Sequence, residues 1–355
     1  MKEMVREAER LMGLARTRPS REILSGDSAD VYFARAARVL EREGLDPVIT
    51  MEIFGRQDAV LCGVDEATNL LGHVLAECDP GETRVEALSD GDHVGPKEVV
   101  LRIRARYRHV GLYETAILGM LAQSTGWATA AKECVDAAAP APVISFGARH
   151  VHPDITDVLD YAAIVGGCVG ASTPAGARLA GLSPTGTMPH SLVLIFGDTV
   201  EAAIAFDRDL EADVPRIVLV DTFKDEAEEA LRVAHALGDR LYGIRLDTPS
   251  ERGRVTADLV HEVRARLDLE GYTHVKIVVS GGLNPDRIRY FKDAAAPVDS
   301  FAVGSYISGA TPLDFTGDIK EIDGRPIAKR GRIPGLTESP RLRSVDLAQW
   351  RDGTS

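Results

Sequence analysis

The sequence predicts an α/β protein in two parts, a mixed α/β domain followed by a (β/α) barrel. Three observations carry that prediction. From residue 143 onward, short β-branched runs alternate with amphipathic helical stretches, the signature of βα units around a parallel sheet. The residues before about 140 mix helices and strands without such a rhythm. The chain has 355 residues and is 45% hydrophobic, enough for about two cores at roughly 150 residues per domain.

The elements follow in order. DSADVYFARAARVLEREG (27–44) reads as a helix: Asp27 or Ser28 caps it, apolar residues recur at helical spacing, and Gly44 ends it. PVITMEIFGR (47–56) reads as a strand, and AVLCGVDEATNLLGHVL (59–75) as a strand running into a helix. Residues 85–107 form a hairpin, because SDGD and VGPKE carry turn chemistry and LRIRARY alternates strictly. A long helix covers 112–138, and APAPV (139–143) is a hinge. The barrel strands are VISFG (143–147), GCVGAS (167–172), PRIVLVDTF (215–223), LYGIRLD (241–247), HVKIVVSGG (274–282) and SFAVGS (300–305). Helical patterns at 225–238, 252–267 and 284–296 separate the later strands. This many strands over about 165 residues fits a barrel better than a small open sheet; a doubly wound sheet is the alternative that strand order decides. The domains are therefore 1–140 and 141–314. A segment from about 315 to 355, with a turn at Asp323-Gly324, returns to the first as a hairpin. The last stretch, 339–355, is expected to be frayed or only partly packed.

Composition excludes several classes. No run of about 20 apolar residues exists, so no membrane span is expected. The charged N-terminal stretch lacks the apolar core of a secretory signal. Cys62, Cys78, Cys134 and Cys168 show no metal-ligand spacing and read as reduced, mostly buried thiols of a cytoplasmic protein. Acids outnumber Lys plus Arg by 54 to 41, a net charge of −13, which argues against nucleic-acid binding. Neither GxGxxG after the first strand nor GxxxxGK[ST] occurs, so dinucleotide and P-loop readings lack support.

Barrel active sites gather at the C-terminal ends of the strands. After the first strand come Arg149, His150 and His152, suited to a carboxylate or phosphate. After the second comes SPTGTMPHSLVL, in which Thr187 and His190 flank Met188 and Pro189. Asp221 ends the third strand and Asp247 the fourth, with Arg245 inside the latter. Such acids suit ribose hydroxyls, hydrated Mg²⁺ or positive charge developing on a sugar. Ser280, Gly281 and Gly282 precede a helix start, and Gly304-Ser305 follow the last strand; the pair of loops would make a phosphate cradle. Each residue also has a plainer reading: a solvated basic loop, a satisfied histidine, an Asp that caps the next helix, a glycine chosen for its turn. Together they suggest a phosphorylated sugar substrate with a second, carboxylate-like anion near Arg149.

ADVYF, YETAILGML, SFGARHVHPD, GTMPHSLVL, LVDTF, GIRLD, SGGLN and SFAVGS, in this order over residues 28–332, resemble the nicotinate phosphoribosyltransferases. The wider family includes the quinolinate enzymes. The resemblance implies an incomplete (β/α) barrel of the type II phosphoribosyltransferase kind beside an N-terminal α/β sandwich domain. It implies transfer of phosphoribose from phosphoribosyl pyrophosphate (PRPP) to nicotinate, giving nicotinate mononucleotide and pyrophosphate in NAD salvage. Mg²⁺ would accompany PRPP, no protein metal ligand being assigned, and ATP would be an optional co-substrate through a phosphohistidine at His190. Thr187 matches a nicotinate contact, and Tyr32 a tyrosine that packs on the pyridine ring across a dimer interface. Arg245 matches a substrate-site arginine, and Ser305 stands where many members bind the 5-phosphate with Thr. Asp221 and Asp247 would support the oxocarbenium-like C1. Arg149-His150 departs from the family's Arg-Arg, which leaves open the seat of the nicotinate carboxylate. A homodimer or higher homo-oligomer with sites at subunit interfaces is implied. The alternatives are a decarboxylating quinolinate phosphoribosyltransferase, a non-catalytic nucleotide-binding homologue, or an unrelated barrel enzyme such as a Schiff-base aldolase. Lys276, the sole lysine in a barrel strand, bears on the first and last of these.

Overall fold

The computed structural model describes residues 19–347, which divide into two compact units, 19–129 with 311–347 and Ala130–Ala310. The first 18 residues, with most of the charged N-terminal stretch, and residues 348–355 of the tail lie outside the described residues.

The first unit is built on a six-stranded antiparallel sheet. Its order is Arg325–Pro326, Phe315–Ile322, Val48–Gly55, Val99–Arg106, Arg84–Ala87 and Arg343–Ser344. Alternation along Val99–Arg106 sets the two faces. Leu101, Ile103 and Ala105 enter the core under helix Val64–Leu75, while Arg102, Arg104 and Arg106 face the other way. Arg102 grips the buried Glu52 on the neighbouring strand at 2.7 and 2.9 Å, so that polar face is ordered as well. The return segment pairs along Val48–Gly55, with Glu52 opposite Asp318. The tail docks further than its composition suggests. Arg343 and Ser344 pair with Ala87 and Glu86, and Leu342, Val345 and Leu347 pack on the core.

Two local expectations differ. The helix near residue 30 spans Val31–Arg42 with Asp30, not Asp27 or Ser28, at the N-cap position, and the Asp30 side chain makes no cap hydrogen bond. An unanticipated short helix, Arg21–Ser25, ends at Gly26 with φ 79°, and Asp27 is drawn back to Ser25 Oγ. The division between units falls inside helix Glu114–Ala138, not at the 139–143 segment. Ile117 and Leu121 on the helix's first half belong to the first core, whereas Val135 on its last turns packs beside Gly167. Gly126 is required on this helix, because a Cβ there would lie 2.6 Å from the Thr311 carbonyl.

The second unit holds six parallel strands in the order Gly170–Ala171, Val143–Ser145, Ser300–Val303, Lys276–Val279, Gly243–Leu246 and Ile217–Leu219. In chain order that is 2-1-6-5-4-3. The first strand pairs with the sixth, Val143 opposite Phe301, as barrel closure demands. A single break remains, between the second and third strands. This is an incomplete barrel, and the doubly wound alternative fails because the order never reverses at a switch point. The break is bridged by irregular chain: Thr185 N–H donates to Ala171 O at 2.8 Å and Met188 N–H to Ile217 O at 3.2 Å. Val218, Leu219, Ile244, Leu246, Ile277, Val279 and Val303 are fully buried at the sheet's centre.

Candidate active site

The strand ends deliver their side chains to a cavity of about 320 Å³ in the second unit. Arg149, His150, Arg245, Asp247, Ser280, Gly281, Gly282, Gly304 and Ser305 all line it. The strand-end acids do not serve as helix caps. Asp225 caps helix Glu226–Leu237, and Thr256 caps Ala257–Leu269. Asp221 and Asp247 are thereby free for other partners.

Arg245 is the hub. Its Nη1 donates to Thr187 Oγ1 at 2.6 Å and its Nη2 to Asp247 at 3.1 Å, while the guanidinium lies 5.7 Å over the Phe146 ring. Asp247 in turn accepts from Ser280 Oγ at 2.9 Å. Burial pulls the Arg245 guanidinium below its usual range, against the attraction of Asp247 and Asp221. Its Nε is buried without a hydrogen-bond partner. The bridging segment at the barrel's break thus places Thr187 against the fourth strand.

His190 starts helix His190–Phe196 just beyond that segment. Its Nε2 lies 3.2 and 3.3 Å from the carboxylate oxygens of Asp221, whose side chain is 1% exposed. That hydrogen bond raises the His190 pKa, with partial burial opposing it. Thr187, His190 and Asp221 do not line the cavity themselves; they join it through Arg245 and by charge through Asp247.

The glycines have steric reasons. Gly281 has φ 89°, and a Cβ there would meet Asp247 Oδ1 at 2.9 Å. A Cβ on Gly304 would lie 2.9 Å from the Phe146 carbonyl and 3.0 Å from the His150 ring. Helix Pro285–Asp293 follows the first of these turns and is capped by Asn284.

Tyr32 lies in the first unit, 57% exposed, with its hydroxyl donating to Asp30 at 3.0 Å. His152 pairs with Asp154 outside the cavity. Lys276 is exposed at the N-terminal end of its strand, opposite the site, and pairs with Asp299 at 3.0 Å; it is no Schiff-base lysine of this cavity. No disulfide joins any of the four cysteines, and burial pushes the Cys134 thiol up to about 12. Among the described residues no cluster of three His, Cys, Asp or Glu side chains could hold a metal, and no helix is long and apolar enough to cross a membrane. Four lining residues escaped the sequence reading: Ala148 and Ala302, and the larger Phe146 and Ser172. The latter two end barrel strands, but neither type announces a ligand. The buried Asp160, below them, holds Ser145 Oγ at 3.0 Å and Thr173 Oγ1 at 2.7 Å.

An open parallel barrel with acids, arginines and glycine turns at its strand ends, in a chain that also forms a separate antiparallel-sheet unit, has the type II phosphoribosyltransferase architecture. Two family models match the chain: the quinolinate phosphoribosyl transferase N-terminal domain over residues 30–125 and its C-terminal domain over 127–318. The chain belongs to the nicotinate/quinolinate phosphoribosyltransferase family. It is 32% identical over 276 residues to a nicotinate phosphoribosyltransferase of Mycobacterium tuberculosis, covering 75% of this chain and 59% of that protein. A Bacillus subtilis nicotinate phosphoribosyltransferase is 29% identical over 66% of the chain and 48% of its own length. The chain thus spans under two thirds of these relatives. Among solved structures, the nicotinate-nucleotide pyrophosphorylase of Pyrococcus furiosus superposes with a TM-score of 0.82 at 41% identity, over 92% of this chain and 85% of that one. The human nicotinic acid phosphoribosyltransferase shares the fold, with a TM-score of 0.64 at 19% identity over 86% of this chain and 77% of its own.

Proposed function

We propose that the protein is a nicotinate phosphoribosyltransferase, making nicotinate mononucleotide and pyrophosphate from nicotinate and PRPP. One observation supports this choice within the family most directly. The cavity is lined by one Arg–His corner, Arg149 and His150, by Arg245 and by glycine turns, with no lysine among its described lining residues. Nicotinate carries one carboxylate and quinolinate two; with Arg245 already bonded to Thr187 and Asp247, the Arg149–His150 pair is left for one carboxylate, which suits nicotinate. The relatives named nicotinate phosphoribosyltransferase support the same reading.

The chemistry asks little of a base. The pyridine nitrogen attacks C1 of the ribose as the bond from C1 to the pyrophosphate oxygen breaks, and the electron pair leaves with pyrophosphate. Asp247, held by Arg245 and Ser280, and Asp221 would face the positive charge that grows on the sugar. Orientation of ring and sugar supplies much of the rate. Magnesium would arrive on PRPP as part of the substrate: Asp247 and Asp221 offer oxygen ligands but no complete cage. Tyr32 would cap the pyridine ring from a second subunit of a homo-oligomer.

ATP use would run through His190. With Nε2–H donated to Asp221, Nδ1 keeps the lone pair and can take a phosphoryl group. His190→Ala should abolish ATP stimulation and leave basal transfer. ATP stimulation that survives in this variant would remove His190 from that role. The family model's own name favours quinolinate as the second reading. That reaction ends in decarboxylation, so carboxyl-labelled quinolinate reads it directly. We expect no labelled carbon dioxide above background; steady release would replace nicotinate with quinolinate.

A further inference from the structure

Arg254 lies in the loop between the strand Gly243–Leu246 and helix Ala257–Leu269. Its backbone is left-handed, φ 66°, a region that side-chain-bearing residues rarely adopt. The loop holds it there: Arg254 N–H donates to Pro249 O at 3.1 Å, and the next carbonyl, of Val255, accepts from Arg287 Nη2 at 2.7 Å. This backbone sets the guanidinium against Gly282. A Cβ at Gly282 would fall 2.0 Å from Arg254 Nη1, so the absence of a side chain at 282 is what admits the arginine. Gly282 itself lines the active-site cavity.

The charge of Arg254 is unspent. Arg245, Arg232 and Arg216 each grip a carboxylate. The residue is exposed, and among the described residues no carboxylate lies within ion-pair distance of its guanidinium; at longer range its charge helps lower the Glu251 carboxyl on the same loop, after that group's own hydrogen bonds. An unpaired arginine, fixed in a costly backbone conformation and laid on a glycine turn at a cavity rim, is placed for an anion. We propose that Arg254 is a phosphate-binding residue, whose guanidinium bonds phosphoryl oxygens of a ligand seated at the Gly281–Gly282 turn. The inference rests on the phosphoribosyl substrate proposed above, which offers two such groups, the pyrophosphate and the 5-phosphate.

The test measures binding rather than turnover, on the full chain. Inorganic pyrophosphate with Mg²⁺ and ribose 5-phosphate are titrated separately by calorimetry into the wild type and into Arg254→Gln and Arg254→Lys, at two salt concentrations. Arg254→Gln should weaken at least one probe by about tenfold, the loss expected for a hydrogen bond to a charged group, and flatten its salt dependence. The more affected probe identifies the phosphate. Arg254→Lys, with the charge kept, should bind more tightly than the Gln variant; if the Gln variant melts early, the Lys variant with a wild-type melting temperature carries the test by weakened binding. Wild-type affinity for both probes in the substituted proteins, or no binding of either by the wild type, overturns the proposal. A wild type that binds through Arg254 yet makes no nicotinate mononucleotide sinks the nicotinate reading and leaves this one standing.

Discussion

At the scale of residues, the site turns on two pairs. His190 is held above its ordinary value of 6.5 by Asp221. A raised value in the folded state means that the pair stabilises the fold fully below 6.5 and ceases to do so as pH climbs through the raised value. Asp221→Asn should therefore lower the His190 titration midpoint in an NMR pH series, and its stability deficit should be larger at pH 6 than at pH 8.5. An unmoved midpoint would contradict the pairing. Arg245 is the second. Arg245→Ala strands Thr187 and Asp247, and the loss of two charge-assisted bonds should cost transfer about 3 kcal/mol, roughly a hundredfold in kcat/KM. Much of this was legible, because Asp221, Asp247 and Arg245 end β-branched runs. Their use as hubs was not, since the caps that release the acids, Asp225 and Thr256, show only once the helix starts are known. Phe146 and Arg254 were illegible, because a ring under a guanidinium and a contact to a bare Cα arise between distant segments.

At the scale of elements, the buried carboxylate of Asp160 joins three segments of the second unit. From helix Thr156–Val165 its carboxylate ties Ser145, at the end of the first barrel strand, to Thr173, the cap of helix Pro174–Leu179. Burial raises its pKa, and the Thr173 and Ser145 bonds oppose that rise. Asp160→Ala leaves buried partners unmet and should destabilise by about 2–3 kcal/mol in urea unfolding. Gly176→Ala should cost about 1–3 kcal/mol by overpacking, since its Cβ would fall 2.3 Å from that of Asp160. A urea midpoint equal to wild type in either variant would contradict the strut. The strands and later helices were legible because period and caps agree there. The segment 185–188 was not: it has no period, and its shape comes from the two edge carbonyls it bridges, Ala171 and Ile217.

At the scale of the whole molecule, the net charge of −13 coexists with a cavity whose cations are local. Arg149, Arg245 and Arg254 act over short range, while distant acids are screened within about 8–10 Å at ordinary salt. The return of residues 315–322 to the first sheet was readable from the Asp323-Gly324 turn and the alternation around it. The division within helix Glu114–Ala138 was not, because a continuous helix carries no break where its partners change. On the proposed reading, this cavity joins nicotinate to phosphoribose. The most direct test identifies the product by mass spectrometry after mixing the protein with Mg²⁺, PRPP and nicotinate, with Arg245→Ala in parallel. Nicotinate mononucleotide, formed by the wild type and reduced about a hundredfold by Arg245→Ala, is the predicted result. No nicotinate mononucleotide from the wild type, with or without ATP, would contradict the proposed function.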